Sequence, residues 1–139
     1  RAVAVIIRDG KILLMHRIKN GLEYIVFPGG GLEEGESPEE AVVREVKEEF
    51  NLDVKVDKFL FQIENQGRQE FYYLIRKFSG IPEISGEEKE RMNENNQYRP
   101  VWEDLGKIET IVNLYPEQAR LKIEEMAEEF WTMPWPTKN

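Results

Sequence analysis

Pro28–Leu52 reads PGGGLEEGESPEEAVVREVKEEFNL: three consecutive glycines, an acidic loop, and then a helix whose limits are written into the chain. Ser37-Pro38-Glu39-Glu40 predicts the helix start, with Ser37 as N-cap, Pro38 at the first helical position and Glu40 three residues after the cap. Asn51 tolerates the left-handed conformation that ends a helix, so the helix is expected to run to about Phe50. Within it Val42, Val46 and Phe50 form an apolar stripe that would bury against a sheet and fix the helix in depth and direction. Glu45, Glu48 and Glu49 sit at i, i+3 and i+4, which places three carboxylates on one face within about one turn. Each such like-charge pair costs an isolated helix roughly 0.2–0.5 kcal/mol, so helix stability does not account for the cluster. A hard cation removes the conflict: Mg²⁺ takes carboxylate and carbonyl oxygens and keeps waters and substrate phosphate in its remaining positions. Arg44 reaches Glu48 at i+4 and would orient it from behind. The same residues also fit an ordinary solvated helix face laced with ion pairs.

Outward from this helix the pattern is one of strands. Ala2–Ile7 and Lys11–Arg17 are aliphatic runs separated by Asp9-Gly10, a hairpin signal. Tyr24–Phe27 predicts a strand leading into Pro28-Gly29-Gly30-Gly31, where the backbone allows close approach. Val54–Ile63 and Glu70–Phe78 predict two more strands joined through Asn65-Gln66-Gly67. The polar stretch Ser79–Arg99 reads as a loop with at most one helical turn, Pro100-Val101-Trp102 as a last short strand, and Pro116–Trp131 as one helix turning Ala119, Ile123, Met126, Ala127 and Phe130 to a core. Strands interleaved with a central and a C-terminal helix imply an α/β or α+β class with a mixed sheet covered on both sides.

Composition narrows the chemistry. The 139 residues fit a single domain, 1–139, and 40% hydrophobic content supplies one core. There is no cysteine, which excludes disulfides, thiolate metal sites and a cysteine nucleophile, and a cytoplasmic setting is expected. No long apolar run or signal-peptide pattern occurs, so no membrane partner is expected. A net charge of −8 argues against a nucleic acid polymer, which needs clustered Lys and Arg. It would repel a small anion too, unless a divalent cation mediates. The glycine run is not a P-loop, because no Gly-Lys-Ser/Thr follows. Trp131 and Trp135 in a proline-containing tail suggest either a homodimer surface or a tail folded back on the core.

From Gly30 the order is five residues, Glu36, seven residues, Arg44-Glu45-Val46, one residue, Glu48-Glu49, one residue, Asn51-Leu52. This resembles the box of the Nudix hydrolases, G-x5-E-x7-R-E-U-x-E-E-x-G-U with U aliphatic. The one departure is Asn51 in place of Gly, a residue that tolerates the same backbone conformation. The opening hairpin, the Phe-Pro-Gly-Gly entry and the Trp102 region extend the similarity over most of the chain. The resemblance implies an α/β/α sandwich with a central catalytic helix. It implies Mg²⁺, with Mn²⁺ as an alternative, held by Glu45, Glu48, Glu49 and the Gly29 or Gly30 carbonyl, with Glu36 and Arg44 supporting loop and helix. Arg17, Gly29 and Gly30 would lie near the substrate phosphates.

The implied reaction is attack of a water on one phosphorus of a nucleoside diphosphate derivative. The substrate would be a nucleoside triphosphate, such as an oxidised purine dNTP, or alternatively ADP-ribose or a sugar nucleotide. A nucleotide-sensing module without turnover is a further alternative. Glu48 and Glu49 are the catalytic candidates in the box, with Glu49 first for general base. Glu94 is the candidate on a later loop, and Glu70 a weaker one. His16 reads as structural or at a substrate edge, Trp102, Tyr98 and Phe27 as core or base-stacking rings, and Asn113 or Asn96 as reading a base edge.

Overall fold

The computed structural model describes residues 1–132. The opening hairpin forms as its turn dictates: β1 (Ala2–Arg8) and β2 (Lys11–Lys19) pair antiparallel, and Asp9 and Gly10 both take positive φ. A second two-residue turn, Asn20-Gly21, also at positive φ, returns the chain as β3 (Leu22–Val26). β4 is the glycine pair Gly29–Gly30, antiparallel to the start of β1. Helix α1 (Pro38–Phe50) follows, then β5 (Asp53–Lys55), β6 (Lys58–Asn65), β7 (Arg68–Ile75) and β8 (Lys77–Ser79). A short helix α2 (Gly86–Glu90) precedes β9 (Asn96–Asp104), a 3-10 segment (Leu105–Thr110) and β10 (Leu114–Tyr115). The described chain ends in α3 (Glu117–Met126) and α4 (Glu129–Thr132).

The main sheet is mixed, in the order β10-β3-β2-β1-β7-β6, with β4 added to β1 and β9 to β2; β1–β7 and β10–β3 are the parallel pairs. β1 is buried on both faces, which explains its unbroken apolar run. Val3, Val5 and Ile7 join Ile12, Leu14, Phe27 and Tyr72 under α3, while Ala2, Ala4 and Ile6 join Leu13 and Met15 under Val42, Val46 and Phe50 of α1. Helices therefore cover both faces, the α/β/α arrangement expected. Among the described residues no helix is long and apolar enough to cross a membrane.

Four elements differ from the sequence reading. The strand over Val54–Ile63 divides into β5 and β6, and that over Glu70–Phe78 into β7 and β8. Both breaks fall at an ion pair: the Asp57 side chain is fully buried against Arg76. The strand expected over residues 100–102 as the last one spans Asn96–Asp104 and is followed by β10; it is longer because β9 lies along the outer edge of β2, where only Tyr98 must be buried and polar residues mask the alternation. The C-terminal helix is two segments. Met126 and Ala127 are only half-buried, and the turn after them brings Phe130 fully into the core. Trp135 and the side chain of Trp131, expected at a dimer surface or packed on the core, lie outside the described residues.

Candidate active site

The N-terminus of α1 is built as the sequence predicts. Ser37 Oγ accepts the Glu40 N–H at 3.1 Å and Glu40 Oε1 accepts the Ser37 N–H at 3.0 Å, a reciprocal capping box. Hydrogen bonding to the Glu40 carboxyl, from the Ser37 N–H first and the Ser37 side chain second, holds it below the usual range. At the other end Asn51 stands at φ 56°, ψ 37°, its N–H on the Lys47 carbonyl and its amide donating to Glu83 at 3.2 Å.

Two glycines bring β4 against this helix. Gly29 has φ 155°, and a Cβ there would lie 2.3 Å from the Ala2 carbonyl oxygen. Its N–H donates to Glu49 Oε1 at 2.8 Å, and Glu49 is 5% exposed. A Cβ on Gly30 would lie 2.3–2.5 Å from the carboxylate of Glu45. The glycine turn is therefore a seat for two of the three helix glutamates.

Arg44 is the hub, and its role is wider than the i+4 partner the spacing suggested. Nε and Nη2 grip Glu36 at 2.7 and 2.9 Å, Nη2 also donates to the Gly31 carbonyl at 2.9 Å, and Nη1 donates to Glu45 at 2.9 Å and Glu48 at 3.1 Å. Glu33 stands 3.5 Å from Nη1. The Arg44 bonds, then the Glu33 N–H, lower the Glu36 pKa to about 2, and the Arg44 pKa is raised in turn, chiefly by Glu36. The loop after β8 closes over the far end of α1, where Ser85 donates to the carbonyls of Glu48 and Glu49. It leaves a cleft of about 410 Å³ bounded by Glu33, Arg44, Glu45, Glu48, Gly86 and Glu87.

Among the described residues no three carboxylates stand together as a ready-made metal site. Arg44 draws Glu45 and Glu48 to its guanidinium and Glu49 bonds to Gly29. The donor set nevertheless fits a hard divalent cation. It consists of carboxylate oxygens on one wall of a cleft, and Gly30, having no Cβ, leaves the room that the Glu45 carboxylate occupies and that any side chain would take from it.

The remaining expected residues divide. Glu36 and Arg44 join the cluster. Arg17 is placed among tyrosines instead: Nη2 donates to Tyr98 Oη at 2.9 Å, the guanidinium lies over the Tyr98 and Tyr24 rings, and its buried Nε has no hydrogen-bond partner. Glu94 is exposed on the turn before β9, where the next residue, Asn95, accepts the Asn20 N–H; its neighbours are those of the β2–β3 hairpin. Glu70 is buried, bonded to Tyr72. His16 pairs with Glu23, Asn113 donates to the Glu23 carbonyl, Asn96 donates to the Arg91 carbonyl, and Trp102 stacks on Phe78. Glu33 and Glu87 were missed as cleft residues. Glu33 lies in the acidic loop between Gly31 and Glu36, at a position with no spacing rule. Glu87 sits in a charge-rich loop where one glutamate looks like the next, and only the Ser85-Gly86 pair marks it.

The chain is similar over most of its length to known proteins. The NUDIX domain profile matches residues 1–123. An ADP-ribose pyrophosphatase of Methanocaldococcus jannaschii is 40% identical over 86 residues, 61% of this chain and 51% of the relative, so the chain spans about half of that protein. An RNA pyrophosphohydrolase of Sphingopyxis alaskensis is 29% identical over 76% of each chain. An 8-oxo-dGTP diphosphatase of Haemophilus influenzae is 32% identical over 59% of this chain and 66% of its own. The crystal structure of a MutT NUDIX hydrolase from Burkholderia pseudomallei superposes with a TM-score of 0.68 at 25% identity, covering 88% of this chain and 93% of that one. With the box seated on its glycine turn and the profile spanning nearly the whole described chain, the protein belongs to the NUDIX family.

Proposed function

We propose that the protein is a Mg²⁺-dependent pyrophosphohydrolase of a nucleoside triphosphate or related nucleoside diphosphate derivative. The observation that carries this reading is the fit of Gly30 to the Glu45 carboxylate beside a cleft walled by Glu45 and Glu48. A divalent cation bound by Glu45, Glu48 and Glu49 would supply charge neutralisation for the diphosphate and activation of a water. Arg44 holds Glu45 and Glu48 at the cleft wall, and Glu36 and the Gly31 carbonyl hold Arg44. Glu49, fixed by the Gly29 N–H, is the carboxylate assigned to take the proton of the attacking water. The water oxygen bonds to one phosphorus as the bridging P–O bond breaks, and a nucleoside triphosphate yields a monophosphate and pyrophosphate.

The identity to a protein named ADP-ribose pyrophosphatase favours ADP-ribose as the second substrate reading. The named RNA pyrophosphohydrolase is a weaker guide, since a chain of net charge −8 has little means of holding a long polyanion.

The test is incubation with Mg²⁺ and a panel of nucleoside triphosphates, ADP-ribose and sugar nucleotides, with quantitation of monophosphate and pyrophosphate released. Chelation should abolish turnover and Mg²⁺ restore it, with Mn²⁺ as the second cation tried. Glu48→Gln and Glu49→Gln should each lower kcat by about 10²-fold or more while the fold is retained by circular dichroism. Binding without turnover across the whole panel would identify a sensing module instead.

A further inference from the structure

On the face of the sheet opposite α1, a hollow of about 490 Å³ opens between β3, the β6–β7 turn and the start of α3. Val3, Phe27, Tyr72 and Pro116 give it apolar and aromatic walls, and Glu70 lines it too, although only 5% exposed. A carboxylate this buried requires hydrogen-bond partners. Oε1 accepts from the Tyr72 hydroxyl at 2.8 Å, Oε2 accepts from the Asn65 amide at 3.2 Å, and Arg1 Nε stands at 4.0 Å. An ionised carboxylate offers about four acceptor positions, so capacity remains for two further N–H donors. Tyr72 is itself fixed, stacked on Phe61 at 4.6 Å and edge-on to Phe27 at 5.7 Å. Burial, then the charge of Glu70, pushes its phenol pKa upward, so it remains a donor to the carboxylate.

The hollow adjoins the proposed catalytic helix through one strand. Val3 pairs with Gly29, whose N–H holds Glu49, and Phe27 lies two residues before Gly29. A nucleotide whose phosphates meet the glycine turn has an aromatic-walled space of suitable size for its base close by.

We propose that this hollow takes the base and that Glu70 determines its identity, accepting the two adjacent N–H groups of a guanine edge. The inference rests on the nucleotide reading of the site. Guanine presents N1–H and the N2 amino group side by side. Adenine and cytosine place a ring-nitrogen acceptor beside the amino group, and uracil and thymine flank their single N–H with carbonyls. Each of those would set an acceptor against a buried anion and leave polar groups unpaired, which is how such sites reject near-isosteres. Hypoxanthine keeps N1–H and lacks the amino group, so it should be intermediate.

Isothermal titration of the metal-free protein with GMP, IMP and AMP tests this without catalysis. Wild-type protein is expected to bind GMP about tenfold more tightly than IMP, the value of one hydrogen bond to a charged acceptor, and AMP more weakly still. Glu70→Gln should cost GMP tenfold or more and leave AMP unchanged. The GMP-to-IMP comparison needs no variant, so it stands even if Glu70→Gln misfolds. Equal affinities in the wild type, no GMP binding, or a Glu70→Gln loss shared by all three nucleotides would overturn the proposal and leave Glu70 as a structural partner of Tyr72, Asn65 and Arg1. Guanine-selective binding without hydrolysis would instead sink the hydrolase reading alone, and hydrolysis without base preference would sink this one alone.

Discussion

Gly29 and Gly30 are neighbours in β4, yet an added methyl group would meet different things at each. At Gly29 it meets backbone, the Ala2 carbonyl, in a conformation that L side chains rarely adopt. Gly29→Ala is therefore expected to cost about 3 kcal/mol, read as a lowered melting temperature. At Gly30 it meets only the end of the Glu45 side chain, which can swing aside. Gly30→Ala should stay folded to within about 1 kcal/mol and lose Mg²⁺ affinity and turnover; a wild-type rate would remove Glu45 from the site. Glu36 carries a pH signature. Its pKa falls from an ordinary 4.5 to about 2 in the folded protein, so the contribution of its pairing with Arg44 is complete above about pH 4.5 and is lost as pH falls towards 2. The melting-temperature difference between wild type and Glu36→Gln should be flat from pH 7 to about 5 and shrink below that. The sequence shows Glu36, Arg44 and the helix glutamates because fixed spacing on a helix fixes which side chains share a face. Glu70 and Glu87 follow no such rule, since their neighbours come from other elements.

At the scale of elements, α1 is legible because its signals are local. Ser37, Pro38 and Glu40 act within one turn, and Asn51 closes the helix by its own backbone preference. Ser37→Ala should cost about 1 kcal/mol by denaturant melting, and restoring the cap with Asp should recover most of it. The hairpin turns at Asp9-Gly10 and Gln66-Gly67 were legible for the same reason. The extent of β9 was not, because its length is set by β2, against which it pairs from Lys11↔Asp104 to Lys19↔Asn96, and no pattern within residues 96–99 announces that partner.

At the scale of the molecule, the buried pair Asp57–Arg76 interrupts two strand runs and ties the last helix down, since Arg76 also donates to the Phe130 carbonyl at 3.2 Å. Removing one partner leaves an uncompensated charge in the interior. Arg76→Ala is expected to destabilise by about 3–5 kcal/mol, measured by urea unfolding, with the loss spread over β6, β7 and α4 in hydrogen exchange.

The sequence by itself determined the helix of glutamates, its two ends and the glycine turn before it, because each depends on neighbours within a turn or two of chain. Only the tertiary structure decided what those glutamates face. It seats Gly29 and Gly30 against Glu49 and Glu45, brings Glu87 across on the short helix α2, turns Arg17 towards tyrosines, and buries Glu70 in a hollow on the opposite face of the sheet. Those relations depend on strand order and register, which are set by packing the whole sheet between its helices and not by any one segment.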